Sequence, residues 1–412
     1  MLSKEFFKNN RNKLFSVIED NSIVVLFSGS APKKSYDEQY PFAVNKNFYY
    51  ETGINEANDI VILSKINGEC SSTLFIARFD EKKAKWVGKT LNEEEAKEIS
   101  DVENVRYIDE FEEVLDEYLV KVDYVYLDME KQSFEERLTN AELFKAEINE
   151  VCEDVTVLDC FNLIAEHRMI KEKEEIELIK KAIDITRVGI ETIMKNSKSE
   201  VYEYQLEAYF DFEIKRNGAT DFAFKTIAAS GVNGAVLHYS ENNSLIEKGS
   251  LILFDLGAEY KLYNADISRT FPVDGKFSDR QKQIYEIVLR GQDLVISNVK
   301  PGITLIELNN ILVNFYADEL IKIGLISEKE EVKKYYYHGV SHHLGLDTHD
   351  ASIRNYPLKE GAVITVEPGL YIEEEKIGIR IENDVLVTSD GCIDLASDII
   401  RTVEDIEDFM KK

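Results

Sequence analysis

Short apolar runs alternate with helical periodicities in the N-terminal part of the chain. Runs rich in β-branched residues predict buried strands at residues 22–27, 59–63, 72–77 and 122–127. Amphipathic stretches predict helices at residues 109–119 and 134–151. This mixture of elements predicts a small α/β domain, which we place over residues 1–163.

The pattern changes after residue 164, where isoleucines recur at helical spacing and predict a long amphipathic helix: Ile176, Ile179, Ile183, Ile190 and Ile193. A second helix is predicted at 202–216, followed by a β-prone segment at 249–271. The same order then repeats, with helices at 281–297 and 305–323 and a β-prone segment at 361–387. Two helix–helix–β-hairpin halves in tandem predict a duplicated α+β domain over residues 164–412.

Each β-prone segment carries two carboxylates behind a similar lead-in. The run Glu-Lys-Gly-Ser-Leu-Ile-Leu-Phe precedes Asp255, and the run Lys-Glu-Gly-Ala-Val-Ile-Thr-Val precedes Glu367. A second carboxylate, Asp266 or Glu382, stands on each predicted return strand. A carboxylate that ends an apolar strand is costly to bury unless a positive group meets it. Two such pairs therefore predict a metal centre built on a duplicated fold.

The spacing within each pair predicts the register of its hairpin. A symmetric hairpin that opposes Asp255 to Asp266 turns at residues 260–261, and one that opposes Glu367 to Glu382 turns at residues 374–375. Opposed residues on neighbouring strands have Cβ atoms about 5 Å apart, so two carboxylates can share metal ions. Because like charges opposed on a sheet destabilise it, such pairs make sense only when a metal neutralises them.

Four of the six histidines fall within one glycine-containing segment: His338, His342, His343 and His349. Neutral imidazole can ligate a metal, stabilise an oxyanion or transfer a proton, so this clustering favours a functional role. His238 stands apart, and its role is ambiguous from its own surroundings. Arg380 alternates with isoleucines and shares a face with Glu382, where it either supports a ligand or forms an exposed ion pair.

The net charge of -29 over 412 residues narrows the range of expected partners. Nucleic acids and anionic membranes bind basic surfaces, so we expect neither as a partner. No apolar run approaches the roughly 18 residues of a spanning helix, and the N-terminus lacks the apolar core of a signal peptide. The four cysteines show no CxxC spacing, which predicts reduced thiols. Together these features predict a cytoplasmic protein.

Four carboxylates and one imidazole form a hard, oxygen-rich set of metal ligands. Such a set favours Mn²⁺, with Co²⁺, Fe²⁺ or Zn²⁺ as alternatives. Two divalent ions can hold a bridging hydroxide that acts as a nucleophile at neutral pH. The sequence contains no Gly-x-Ser-x-Gly elbow, no phosphate-binding P-loop and no HExxH zinc helix. The reaction class that remains is metal-assisted hydrolysis.

These motifs resemble those of the pita-bread metallopeptidases, in the segments 255–258, 266–272, 338–350, 366–371 and 378–382. The resemblance implies that Asp255 holds one metal ion and that His342 and Glu367 hold the other. It also implies that Asp266 and Glu382 bridge both ions. The expected fold is the duplicated pita-bread arrangement, preceded by a smaller α/β domain.

Within that family the likeness is to aminopeptidase P, because residues 40–57 resemble the signature of its N-terminal domain. It implies an exopeptidase that releases the first residue of peptides with proline at position two, by attack of the hydroxide that bridges the metals. His238, His338 and His349 are then expected to line the substrate site, with Arg380 supporting the ligands. Glu367 is the expected acceptor of the nucleophile's proton.

Trp86, the only tryptophan, lies in a polar segment, where a large aromatic side chain suggests an interface. In oligomeric relatives of this family, the N-terminal domain approaches the active site of a neighbouring subunit. We therefore expect a homo-oligomer, either a dimer or a tetramer, in which Trp86 helps to form a partner's substrate pocket. Asp37, just before the signature segment, is expected near the same region.

Three alternatives use the same fold. A Xaa-Pro dipeptidase, or prolidase, would hold the carboxylate of a dipeptide, and the sequence does not exclude such a clamp. Methionine aminopeptidase fits less well because it needs no leading domain of this size. A non-catalytic pita-bread protein that binds peptides or proteins would have lost metal ligands, whereas all five are present here.

Overall fold

The computed structural model describes residues 2–130 and 138–411 of the chain. The chain divides into two compact units, Met1–Arg168 and Met169–Lys412. The four cysteines are free. Within the described residues, no helix combines the length and the apolar character that crossing a bilayer requires.

The first unit contains a six-stranded sheet with helices around it. Its strands are β1 (Ser22–Phe27), β2 (Ile60–Ile66), β3 (Glu69–Ile76), β4 (Asn104–Tyr107), β5 (Tyr124–Leu127) and β6 (Thr156–Asp159). Its helices are α1 (Lys4–Val17), α2 (Lys46–Thr52), α3 (Glu81–Val87), α4 (Glu93–Ser100), α5 (Phe111–Leu119), α6 (Asn140–Val151) and α7 (Phe161–Arg168). The strand order is β4-β3-β2-β1-β5-β6; β2 is antiparallel to both neighbours, and the other adjacent pairs are parallel.

The strands predicted from the first unit's sequence are present, with ends shifted by up to three residues. Their apolar side chains pack with Phe75, Phe111 and Phe144 in one buried cluster. The helix predicted at 134–151 is described from Asn140 onward; residues 134–137 of that prediction lie outside the described residues. Helix α1 was not predicted, although the Ser3 side chain caps it by accepting from the Phe6 N–H at 3.2 Å.

The second unit repeats one helix–helix–hairpin arrangement. Its helices are α8 (Lys173–Asn196), α9 (Glu203–Arg216), α10 (Asp279–Asn298), α11 (Leu305–Lys322) and α12 (Val403–Phe409). The strands of its first half are β7 (Asp221–Phe222), β8 (Ile227–Ser230), β9 (Leu251–Leu256), β10 (Ala258–Tyr260), β11 (Tyr263–Asn264) and β12 (Ile267–Pro272). Those of its second half are β13 (Val363–Val366), β14 (Gly369–Ile372), β15 (Ile377–Arg380), β16 (Asn383–Val387) and β17 (Cys392–Asp394).

The two halves of the second unit meet along their return strands. The Thr270 side chain on β12 accepts from the Arg380 N–H at 3.2 Å and lies 3.1 Å from its carbonyl oxygen. The Glu382 N–H donates to the Ser268 carbonyl oxygen at 3.1 Å. The helix pairs α8–α9 and α10–α11 pack beside these strands. The α+β class and the duplication predicted from the sequence are therefore confirmed, and the seam between the halves brings the four carboxylates together.

Candidate metal centre

In the first half, the register differs from the predicted one. Asp255 on β9 lies opposite Ser268, so the prediction that it opposes Asp266 is wrong by two residues. The reason is the turn, which falls at Lys261 and Leu262, both with left-handed backbone angles of 52° and 71°. A slip of two residues keeps each side chain on its face of the sheet, so Asp266 still faces the same side as Asp255.

Asp266 lies between the β10–β11 pairing and the β9–β12 pairing, opposite Gly257. Gly257 lets the two strands approach closely there. A Cβ atom at Gly257 would lie 1.8 Å from the Ala265 carbonyl oxygen, so no side chain fits there. The Asp266 N–H donates to the Asp384 side chain at 3.1 Å, which ties the gap to the second half. At this break in the strand pairing, Asp266 therefore bonds to the second half.

In the second half, the predicted register is confirmed. Gly369 lies opposite Arg380, and Val366 lies opposite Asn383, so one register continues on both sides of the Glu367–Glu382 position. The return begins after the short helical turn Glu373–Glu375, next to the predicted turn residues. Both glutamates stand where the ladder is interrupted: the Glu367 N–H donates to the Val340 carbonyl oxygen at 2.9 Å, and the Glu382 N–H donates across the seam to Ser268.

His342 joins the carboxylates from the histidine segment. Its Nε2 lies 3.4 Å from Asp266 Oδ2 and 3.6 Å from Glu367 Oε1. Ligand atoms of Asp266, His342 and Glu382 all lie within 4.8 Å of one another. The His342 Nδ1 lies 3.0 Å from the His343 carbonyl oxygen, which can only accept, so Nδ1 carries the proton and Nε2 offers its lone pair to a metal.

The electrostatics of this cluster show several carboxylates around one guanidinium, that of Arg380, and therefore an excess of negative groups. Burial raises the pKa of Asp266 well above its ordinary value, and the charges of Asp255 and Asp384 add to the shift. Burial likewise raises the pKa of Glu382, with a contribution from Asp266, and raises that of Glu367 to about 7. The Asp255 Oδ1 atom is buried without a hydrogen-bond partner among the described residues. These residues fit a pair of divalent ions, since a cation would satisfy the orphaned oxygen and remove the repulsion.

Arg380 is buried and holds three groups around the cluster, so the exposed ion pair considered above is ruled out. Its guanidinium donates to Asp255 Oδ2 at 2.5 Å, to the Ser268 hydroxyl at 2.9 Å and to the Tyr371 hydroxyl at 3.1 Å. The Ser268 hydroxyl in turn donates to Glu382 Oε2 at 2.8 Å. Neither Ser268 nor Tyr371 was predicted to have a role, although both lie within the family-like segments.

His338 ends a hydrogen-bond chain that starts at Arg380. Its Nδ1 donates to the Gly339 carbonyl oxygen at 2.7 Å, so its Nε2 accepts from the Tyr371 hydroxyl at 2.8 Å. Its Nδ1 also lies 3.6 Å from Glu367 Oε2. Burial and the charge of Arg380 lower the pKa of His338 to about 4, so its ring is neutral at neutral pH.

His238 and His349 lie on the other side of the cluster, in a cavity of about 340 Å³ lined by Phe224, Lys225, Ile227, His238, Ser240, Asp255, Asp266, Thr348 and His349. The His349 ring stacks on His342 with 4.0 Å between ring centroids. Burial, with the neighbouring His342, lowers the pKa of His349 to about 4. The cavity places two imidazoles beside two metal-ligand candidates, with room for part of a peptide.

A buried ion pair packs against the segment that carries His338, His342, His343 and His349. The Lys171 ammonium lies 2.8 Å from Asp350 Oδ2, and both side chains are about 1% exposed. Asp350 Oδ1 accepts from the Asp347 N–H at 3.2 Å. A Cβ atom at Gly345 would lie 2.5 Å from Asp350 Oδ2, so the segment closes tightly over the pair. Lys171 lies far from any motif, which is why sequence reasoning missed it.

Trp86 and Asp37 belong to the first unit, and both are exposed. Trp86 lies on α3 with 88% of its surface accessible. Asp37 lies in the irregular segment that precedes α2. Their exposure leaves both available to a partner.

Comparisons with known proteins cover the whole chain. The model of metallopeptidase family M24 matches residues 177–389, and that of the aminopeptidase P N-terminal domain matches residues 7–126. Xaa-Pro aminopeptidase of Escherichia coli (strain K12) is 32% identical over 432 residues, which cover 99% of this chain and 98% of that protein.

Two solved structures are similar over the same extent. A candidate aminopeptidase P from Bacillus anthracis has a TM-score of 0.97 and 48% identity, covering 99% of this chain and 98% of that one. Aminopeptidase P from E. coli with the inhibitor Pro-Leu has a TM-score of 0.92 and 31% identity, with the same coverage. The resemblance to the pita-bread metallopeptidases is thus confirmed, and the chain belongs to metallopeptidase family M24, with a peptidase domain preceded by an aminopeptidase P N-terminal domain.

Proposed function

We propose that this chain is a metal-dependent Xaa-Pro aminopeptidase, which releases the first residue of peptides that have proline at position two. The observation that carries the proposal is the cluster of Asp266, His342 and Glu382, with Glu367 at 3.6 Å from His342 and Asp255 in the same cavity lining as Asp266. The chain also has the aminopeptidase P N-terminal domain. Full-length similarity to a protein named Xaa-Pro aminopeptidase supports the same substrate class.

In this proposal Asp255, Asp266, His342, Glu367 and Glu382 hold two divalent ions. The oxygen-rich donor set favours Mn²⁺, and Co²⁺, Fe²⁺ or Zn²⁺ can occupy it. When bound, such ions lower the pKa of a water molecule and polarise the scissile carbonyl. Arg380 holds Asp255 at 2.5 Å and, through Ser268, orients Glu382. The ligands are therefore fixed before substrate arrives.

The remaining groups move protons and stabilise charge. Glu367 accepts the proton of the attacking water, and His338, 3.6 Å from Glu367, relays a proton toward the leaving prolyl nitrogen. His238 and His349 face the cavity beside Asp255 and Asp266, where an imidazole N–H can donate to the developing oxyanion. The free amine of the peptide lies near Asp255, which confines cleavage to the first bond.

A peptide series tests the activity and its proline requirement. We expect chelated enzyme to be inactive and Mn²⁺ to restore cleavage of the first bond of a Xaa-Pro-Xaa tripeptide. The matched Xaa-Ala-Xaa tripeptide should be cleaved at least about 10-fold more slowly, because a pocket shaped for one side chain discriminates by about that much. Product analysis by chromatography gives the rates. Cleavage of a Xaa-Pro dipeptide alone would instead identify a dipeptidase, and equal rates for proline and alanine would contradict the proposal.

We further propose a homo-oligomer in which Trp86 and Asp37 contribute to a partner's substrate pocket. Trp86 is 88% exposed, and burying such a side chain in a partner would stabilise the assembly. We expect Trp86→Ala to raise KM about 10-fold or to weaken assembly, as measured by steady-state kinetics and sedimentation. Val120→Ala changes a residue of the same unit that is 83% exposed and serves as the control. Wild-type kinetics and assembly for Trp86→Ala would show that Trp86 does not contribute to a partner's pocket.

A further inference from the structure

The position of His238 depends on its neighbours. The residue is exposed, and its side chain lines the cavity beside Asp255 and Asp266. Leu237 and Tyr239, on either side of it, pack against the buried cluster of Ile227, Ala229, Leu253 and Tyr371. Leu237 and His238 lie in a turn that the Tyr239 N–H closes by donating to the Val236 carbonyl oxygen at 3.3 Å. With Leu237 and Tyr239 packed on the cluster, His238 lines the cavity.

Glu203, at the first position of α9, binds the segment that carries His238. The residue is fully buried, and its carboxylate accepts five hydrogen bonds. Oε1 accepts from the Ser230 N–H and hydroxyl, both at 2.7 Å, and from the Asn233 amide at 3.1 Å. Oε2 accepts from the Tyr239 hydroxyl at 2.8 Å and from the Ser244 N–H at 2.9 Å.

These donors come from both ends and from the middle of one loop. Ser230 ends β8, Tyr239 lies next to His238, and Ser244 lies where the chain returns toward α9. The Glu203 N–H also donates to the Ser244 carbonyl oxygen at 3.1 Å. One carboxylate therefore closes residues 230–244 into a fixed loop, and a charged acceptor holds such donors about twice as strongly as a neutral one.

We propose that Glu203 is a positioning residue for His238, which it holds in the cavity through Tyr239 and the fixed loop. The inference rests on the proposed function, in which His238 donates to the reacting carbonyl. Glutamine at position 203 has nearly the same volume, but it replaces one acceptor oxygen with an amide that itself donates. The N–H of either Ser230 or Ser244 then faces an amide donor and loses its acceptor, so the loop can shift.

The test compares kcat and KM of Glu203→Gln, His238→Ala and the double variant on the Xaa-Pro-Xaa tripeptide. We expect Glu203→Gln to lower kcat by about 10- to 100-fold with little change in KM, because a displacement of about 1 Å in a positioned group costs that much. Added to His238→Ala, it should cause no further loss, since its effect passes through the His238 side chain. Tyr239→Phe removes one of the five hydrogen bonds to Glu203, together with the contacts of the Tyr239 hydroxyl to Ser244 and Asn243, and should give a smaller loss in the same parameter.

Glu213→Gln is the matched control. Glu213 lies on the same helix and is 7% exposed, but its carboxylate contacts Arg216 and Asn217 at the far end of α9. We expect it to leave kcat unchanged. Should Glu203→Gln fail to fold, as judged by circular dichroism and metal content, Tyr239→Phe and its combination with His238→Ala give the same comparison.

Three results would overturn the inference. Wild-type kcat for both Glu203→Gln and Tyr239→Phe would show that the loop needs no such support. Losses that multiply with that of His238→Ala would show that Glu203 acts by another route. Full activity of His238→Ala would remove the role of His238, although tripeptide cleavage by the wild type would still support the aminopeptidase activity.

Discussion

Asp266→Ala is expected to lower kcat/KM by about a thousand-fold or more, because the activated nucleophile depends on metal ions that this carboxylate is placed to share. Its Oδ2 lies 3.4 Å from His342 Nε2, and it shares the cluster with Glu382. We expect the bound metal to fall from two ions to one or fewer. Kinetics and elemental analysis of the same preparation measure both effects.

Asp318→Ala is the control for this variant. Asp318 lies on α11 with 61% of its side chain exposed, paired with Lys329, and its removal should change neither metal content nor kcat/KM. Full activity and two bound ions in Asp266→Ala would contradict the proposed metal centre.

In the metal-free protein, Asp266→Ala should increase the thermal stability instead of impairing the enzyme. Burial raises the pKa of Asp266 in the folded state, so the folded protein keeps a proton that the unfolded chain loses above the ordinary carboxyl range. The metal-free wild type therefore loses stability as pH rises from that range toward neutrality. Asp266→Ala removes this contribution, so its metal-free form should unfold at a higher temperature than the metal-free wild type at pH 7. Added metal should stabilise only the wild type strongly.

Lys171→Met is expected to destabilise the second unit by about 3–5 kcal/mol, since it removes one charge of a fully buried ion pair. The two side chains are about 1% exposed and 2.8 Å apart, so little water can replace the lost partner. Urea unfolding, followed by a probe in the second unit, measures the free energy of unfolding. Because the pair underlies the segment with His342 and His349, activity should fall as well.

Lys322→Met is the matched comparison, because Lys322 pairs with Glu319 at 2.6 Å but is 67% exposed. Exposed pairs contribute about 1 kcal/mol or less, so its loss should be small. The double variant Lys171→Met, Asp350→Leu should recover much of the stability, because both charges of the buried pair are then removed. A loss below about 1 kcal/mol for Lys171→Met would show that the Asp350 charge is compensated elsewhere.

The sequence predicts a hairpin register correctly where neighbouring residues determine the turn. The Glu367–Glu382 register follows from a glycine, an apolar run and a polar turn, and the structure has that register. The Asp255–Asp266 register was missed because Lys261 and Leu262 adopt left-handed angles, which neither residue type signals. The predicted face of Asp266 is still right, because side-chain direction in a strand repeats every two residues and the register is shifted by two.

Supporting groups are harder to predict, because their partners are distant in the chain. Lys171 and Asp350 are 179 positions apart, and nothing near Lys171 marks it as the partner of a histidine segment. Glu203 resembles any acidic residue in the first turn of a helix until its five donors are placed around it. Such groups become visible only when the fold assembles their surroundings.

The division of the ligands between the two halves has a consequence for how the protein responds to its surroundings. Asp255 and Asp266 come from one half, and His342, Glu367 and Glu382 come from the other. With the proposed ligands, a bound ion would cross-link the duplicated halves, and neither half alone would form the site. At a free metal concentration a hundred times the Kd, this link adds about 2.7 kcal/mol to the free energy of unfolding. The supply of metal in solution then sets the resistance of the peptidase domain to proteolysis, as well as its activity.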